Sequence, residues 1–222
     1  MSIETLAPRG RVTTVDLRSG VRVEVITVLW MAAEAAVALV AGVMAGSLLL
    51  TAFGLDSVIE LISGAVLLRR LQAEANDASL GAVELAERLA AWVTGISLGL
   101  LCLYVLAGSI AGLVLAIHPE HSLPGIALSV AAVIAMPVLA WRKRTIAERI
   151  QSQALRADAA CSMTCAWMAA TLLVGLAASA LFGWWWADSL AALAFLVWLV
   201  PETREALANA RRGEVGCGCA KS

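Results

Sequence analysis

Six apolar runs divide this chain of 222 residues, and its sixteen Lys and Arg side chains all fall in the segments between and beyond them. The runs are Val23 to Ala45, Leu48 to Leu68, Leu89 to Ile117, Leu123 to Trp141, Ala157 to Leu181 and Asp188 to Val200. A helical bilayer crossing needs about 20 apolar residues. In lipid every backbone polar group must be paired internally, so only helices and closed barrels cross. Here aromatics are 5% and the apolar excess is Ala, Leu and Val, which suits lipid-facing helices over a barrel. With 61% apolar and 15% charged residues, a soluble enzyme domain, a disordered chain and a nucleic-acid binder are excluded. The reading is an all-α polytopic membrane protein of six transmembrane helices. The polar first 22 residues carry no short apolar core with a cleavage site, and the first run is too long for a signal peptide.

The basic residues orient the chain. Arg9, Arg11, Arg18 and Arg22 precede the first run. Arg69, Arg70 and Arg88 lie between the second and third. Arg142, Lys143, Arg144, Arg149 and Arg156 lie between the fourth and fifth. Arg204, Arg211, Arg212 and Lys221 follow the sixth. The other three connections have none. Only an even number of spans puts all sixteen on one face, and the positive-inside rule makes that face cytoplasmic. Both termini are then cytoplasmic, in the plasma (inner) membrane. Residues 1–22 form an N-terminal segment, 23–200 the membrane domain, and 201–222 a short tail with Cys217-Gly218-Cys219. Trp184, Trp185 and Trp186 suit an aromatic belt at the outer interface, and Trp141 one at the inner.

A charge inside a span is costly and therefore a functional candidate. Glu34, Asp56 and Glu60 qualify, with Asp158 and Asp188 near span ends. Asp56 and Glu60 are four residues apart, on one helix face, where they repel unless a proton or cation lies between them. Cys161 and Cys165 repeat that spacing on the fifth span, either as two metal thiolates or as small packed residues. From the nearest cytoplasmic Arg, the helical rise puts Glu60 ~14 Å deep, Asp56 ~20 Å, Cys165 ~14 Å, Cys161 ~8 Å and Glu34 ~18 Å. Glu34, Asp56, Glu60 and Cys165 therefore fall in one slab of the membrane, with Cys161 just below it. Two carboxylates with two thiolates suit a tetrahedral, borderline-soft ion such as Zn2+ or Cd2+, and disfavour Mg2+ and Ca2+. Such ligands bind metal deprotonated, so metal entry expels protons and proton entry expels metal. Reached alternately from the two sides, that chemistry is metal/proton antiport.

Gly46-Ser47-Leu48 through Leu55-Asp56-Ser57-Val58-Ile59-Glu60-Leu61 resembles the second span of the cation diffusion facilitator family. Ala157-Asp158-Ala159-Ala160-Cys161-Ser162-Met163-Thr164-Cys165 resembles the fifth, and Trp186-Ala187-Asp188-Ser189-Leu190-Ala191-Ala192-Leu193 the start of the sixth. The resemblance covers about residues 25 to 200 and matches the layout with both ends inside. It implies a metal site of Asp56 and Glu60 with Cys161 and Cys165, Asp158 setting the register. Where the family has His and Asp on the fifth span, this chain has Cys at both places, which shifts the cargo toward softer ions: Cd2+, Hg2+ and Cu+ beside Zn2+, with Co2+ also in range. The family further implies export, by exchange with protons, and a homodimer. About twenty residues follow the last run, so the resemblance is to a minimal, bacterial-type member without the usual cytoplasmic C-terminal domain.

The remaining features have plainer readings beside functional ones. Glu34 is a proton carrier, an extra ligand, or a hydrogen-bond partner for a Ser or Thr on a neighbouring helix. Asp158 attracts cations at the entrance or pairs with Arg156 or a basic loop. Asp188 opens a helix and reads as an N-cap. Cys217 and Cys219 form a candidate capture tail for soft metal, and Cys102 reads as packed or lipid-facing. His118 and His121 flank Glu120 in a solvated loop. Gly95-x3-Gly99 and Gly108-x3-Gly112 mark close helix packing, within the chain or at a dimer seam. Two other functions compete with metal transport. One is a membrane thiol oxidoreductase using Cys161 and Cys165, against which stand the spacing, unlike Cys-x2-Cys, and the unexplained pair of acids. The other is a metal-sensing subunit that transports nothing. No enzyme activity is expected, and no permanently bound cofactor beyond the metal as cargo.

Overall fold

A computed structural model describes residues 14–76 and 81–212. Six helices follow one another: α1 Thr14–Ala45, α2 Leu48–Ala75, α3 Gly81–Val114, α4 Leu123–Ile150, α5 Gln153–Phe182 and α6 Ala187–Arg212. No strand occurs among the described residues. Five helices are long and apolar enough to cross a membrane, over Asp16–Ala45, Leu48–Glu74, Arg88–Val114, Leu123–Ile150 and Gln153–Phe182. The protein is a polytopic, all-helical membrane protein.

α6 does not meet that measure, because its apolar stretch ends at Pro201 and gives way to Glu202, Arg204 and Glu205. Its helix nevertheless runs on to Arg212, past residue 200 where the last apolar run stops. Leu199, Glu202, Thr203, Ala206, Asn209 and Ala210 are buried at helical spacing, so packing carries α6 through the proline. The Cys217 and Cys219 tail lies outside the described residues, as do Arg9, Arg11 and Lys221.

Short polar connections set the helix ends. Ser47, Ser122 and Ser152 are N-caps whose hydroxyls accept from the amides of Leu50, Gly125 and Leu155 at 3.1, 3.1 and 3.3 Å. Gly46, at φ +60°, makes the two-residue turn between α1 and α2, in a conformation that L side chains rarely adopt. Where these helices cross, a Cβ on Gly54 would stand 2.9 Å from the Leu39 backbone nitrogen, so only glycine allows the approach.

α1 packs on α2 and α4, α4 on α5, α5 on α6, and α3 on α2 and α6. α2 also meets α5 and α6, and those two seams frame the interior. The glycine pairs of α3 serve these internal contacts: Gly95 and Gly99 face Leu207 and Thr203 of α6, Gly108 faces Leu48, and Gly112 faces Ser189. At the outer end, the rings of His118 and Trp185 lie 5.4 Å apart, while Trp184 and Trp186 stack at 5.0 Å.

Asp188 caps a different helix from its own. Its Oδ1 accepts from the Ser47 hydroxyl at 2.5 Å, and its Oδ2 from the amides of Leu48 and Leu49 at 2.9 and 3.3 Å. The expectation of an N-cap holds for the chemistry and is corrected for the helix. The carboxylate of α6 satisfies the orphan donors that open α2, and so ties the outer ends of the two together.

Candidate metal centre

Asp56 and Glu60 project from one face of α2, as their spacing requires. Both are buried, at 1% and 5% exposure. α5 brings Cys165, 1% exposed, against them across the α2–α5 seam. One ligand atom from each of Asp56, Glu60 and Cys165 lies within 4.8 Å of the others. The Cys165 thiol donates to Glu60 Oε2 at 2.5 Å, which joins the two helices directly.

Two further acids look onto this group. Glu34 of α1 is fully buried, with Ser57 Oγ of α2 3.5 Å from its Oε1. Glu202 of α6, buried as well, lies within electrostatic range of Asp56 and Glu60. Asp56 Oδ1, Glu60 Oε1 and Glu34 Oε2 are buried without a hydrogen-bond partner among the described residues. Buried polar atoms are normally paired, and clustered carboxylates are stable only with protons or a cation between them. The centre is therefore built to take positive charge. Its donors, carboxylate oxygens and one cysteine sulfur that would ligate as a thiolate, fit a borderline-soft divalent ion.

Cys161 stands one helical turn before Cys165, buried, but outside the three-residue group and with a partner of its own. Cys102 of α3 reaches α6, its sulfur 3.4 Å from Thr203 Oγ1, so it is packed between helices. Glu34 keeps both sides of its sequence reading: it has a serine neighbour on the next helix and an oxygen left over for a proton or cation.

Asp158 lies lower on α5 and pairs with Lys143 of α4. The expected pairing with a cation of the basic segment is thus made, by Lys143 and not Arg156, and from a helix and not a loop. Lys143 itself is corrected: counted by sequence among the loop cations, it is a fully buried residue of α4. Its ammonium also lies 3.3 Å from Glu24 Oε2 of α1 and donates to Ser162 Oγ at 3.2 Å.

Sequence reasoning missed Glu24, Lys143 and Glu202. Glu24 falls inside the first apolar run, which marks it as an intramembrane acid. Glu202 stands behind a proline read as a helix end, and the helical spacing of Leu199, Thr203, Ala206 and Ala210 was its available signal. Lys143 sits between two arginines, where nothing local separates a buried cation from exposed ones.

No curated protein matches the chain. The cation efflux transmembrane domain matches residues 25–212, which includes Glu34, the three-residue centre, Lys143, Asp158 and all of α6, and begins one residue after Glu24. Members of that family are multi-pass membrane transporters of metal cations. With the match spanning most of its length, the chain belongs to the cation efflux (cation diffusion facilitator) family.

Proposed function

We propose that the protein exports a borderline-soft divalent cation, of the Zn2+ or Cd2+ class, from the cytoplasm across the plasma membrane in exchange for protons. The observation that carries this reading is the buried group of Asp56, Glu60 and Cys165 with ligand atoms within 4.8 Å. Three donors leave one position of a tetrahedral site for water or a fourth ligand, the open arrangement of sites that exchange their metal. Cys161, the fourth ligand of the expected set, is disulfide-bonded in this structure and would have to be reduced to serve as one, while Glu34 and Glu202, within electrostatic range of the centre, can take up protons that the metal displaces. Oxygen donors keep Zn2+ and Co2+ in range, while the thiolate favours Cd2+, Hg2+ and Cu+. Because every ligand binds metal deprotonated, an inward proton gradient drives metal out of the site. A homodimer is proposed by resemblance, and cross-linking in membranes tests it.

A thiol oxidoreductase has less support. The nearest partner of Cys165 is the Glu60 carboxylate, and two intramembrane acids have no task in disulfide exchange.

The test is flux in proteoliposomes for Zn2+, Cd2+, Hg2+, Cu+, Co2+ and Mn2+ with a pH gradient imposed. Flux of Zn2+ or Cd2+ that follows the gradient, and that Asp56→Ala or Glu60→Ala abolishes while the thiols stay reduced, is expected. Flux unchanged by both substitutions sinks the assignment. Alkylation of Cys165 that no tested metal slows removes it as a ligand.

A further inference from the structure

Below the centre, toward the end of the bundle that carries the arginines, lies a second buried group of charges. Lys143 of α4 is 0% exposed, and oxygen atoms from two other helices surround its ammonium. Asp158 Oδ2 and Ser162 Oγ come from α5, and Glu24 Oε2 from α1. Neither Glu24 oxygen has a hydrogen-bond partner among the described residues, and the ion pair at 3.3 Å is the contact that faces Lys143. On its other side Glu24 abuts α2 at a glycine, where a Cβ on Gly64 would stand 3.1 Å from Oε1. The group has two carboxylates for one ammonium. By helical rise Asp158 lies ~10 Å from Cys165 along α5, and Glu24 ~15 Å from Glu34 along α1.

We propose that Glu24, Asp158 and Ser162 form a second cation site, which the chain fills with its own Lys143 ammonium and which the transported cation takes in passing. Two carboxylates and a hydroxyl around one positive charge are the donor set of a hard-to-borderline metal site. The ammonium is a tethered cation on a flexible four-carbon stem, able to leave while its anchor stays in α4. A divalent ion carries twice the charge and competes for the same oxygens. The donors here are oxygen alone, so a borderline-soft ion is held less tightly than at Asp56, Glu60 and Cys165. A weaker outer site followed by a stronger inner one lets the ion enter without being trapped at the threshold. When the ion moves on, the ammonium returns and keeps the two carboxylates neutralised. The proposal rests on the transport reading of the upper centre, but its test does not.

Lys143 and Lys221 are the only lysines in the chain, so amine labelling reports on Lys143 with one internal reference. The full chain in detergent is treated with a small amine-reactive reagent at mildly alkaline pH, with and without Zn2+ or Cd2+, and the two lysine peptides are quantified by mass. In metal-free protein Lys143 should react at least about tenfold more slowly than Lys221, as a desolvated, paired ammonium does. Saturating Zn2+ or Cd2+ should raise its rate several-fold. Asp56→Ala should keep that rise, because the lower site is intact, and Glu24→Gln should abolish it. Lys143 labelling that neither metal changes overturns the proposal without a variant being needed. So does a rise that Glu24→Gln retains, or one that Asp56→Ala removes. Failure of metal flux in proteoliposomes would instead overturn the transport reading, whatever Lys143 labelling shows.

Discussion

Asp56, Glu60 and Cys165 each offer one candidate donor atom from a buried position, so under the proposed function removing any one leaves the others without the full set. Asp56→Ala or Glu60→Ala should lower metal flux by more than about 100-fold, to the background of empty liposomes, since losing a residue that only orients a ligand already costs about 10–100-fold. Cys165→Ser should change the selectivity more than the capacity. A hydroxyl in place of the thiolate weakens Cd2+ binding more than Zn2+ binding, and the ratio of the two fluxes measures it. The lower charges respond differently. Lys143→Met alone leaves Glu24 and Asp158 buried without their cation, which costs about 3–5 kcal/mol. The triple variant Glu24→Gln, Lys143→Met, Asp158→Asn removes all three charges together and should recover most of that loss. Thermal unfolding in detergent compares the two. At this scale the acids of α2 were legible in the sequence because a charge stands out against apolar neighbours. Lys143 was not, because it lies among arginines and its burial depends on two other helices.

Helices carry these side chains to one another through a few specific contacts. The Asp188 carboxylate holds the start of α2 by three hydrogen bonds, from Ser47, Leu48 and Leu49. Asp188→Ala should therefore destabilise the protein by about 1–3 kcal/mol, the range for leaving buried donors without their acceptor, seen as a lower thermal midpoint. Gly54→Leu should be worse tolerated than Gly99→Ala. The first drives a side chain into the α1 backbone, whereas a Cβ at Gly99 meets Thr203 Cγ2 at an ordinary 3.8 Å. Yield of folded protein in membranes distinguishes them. Five of the helices were readable from hydropathy because a span is a long local pattern. α6 was readable only as far as Pro201, since its last turns are held by tertiary burial of Glu202, Thr203 and Asn209.

In the whole molecule, charge is arranged in two buried layers and one basic end. The upper layer has acids from α1, α2 and α6 with a thiol from α5, and the lower has its own cation. Under the proposed exchange, metal and protons compete for the upper layer. Its affinity for Zn2+ should fall as pH falls, by about tenfold per pH unit for each proton displaced, because protonated ligands must release protons before metal binds. Isothermal titration between pH 6 and pH 8 in two buffers of different ionisation heat reads both the slope and the proton count. An affinity independent of pH would argue against coupling at these residues.

The sequence by itself determined the membrane, the helices and the family, because hydropathy, charge asymmetry and short motifs are properties of neighbouring residues along one chain. It also put Glu34, Asp56, Glu60 and Cys165 at a common depth, with Cys161 just below them, since helical rise converts residue number into distance. Depth does not set rotation about a helix axis or choose which helices touch. Only the tertiary structure decided that Cys165, not Cys161, meets the α2 acids, that Glu202 comes in from α6, and that Lys143 answers Asp158 and Glu24. Those pairings depend on the packing of helices far apart in the chain, where small-residue contacts such as Gly54 against Leu39 set how closely and at what rotation the faces meet.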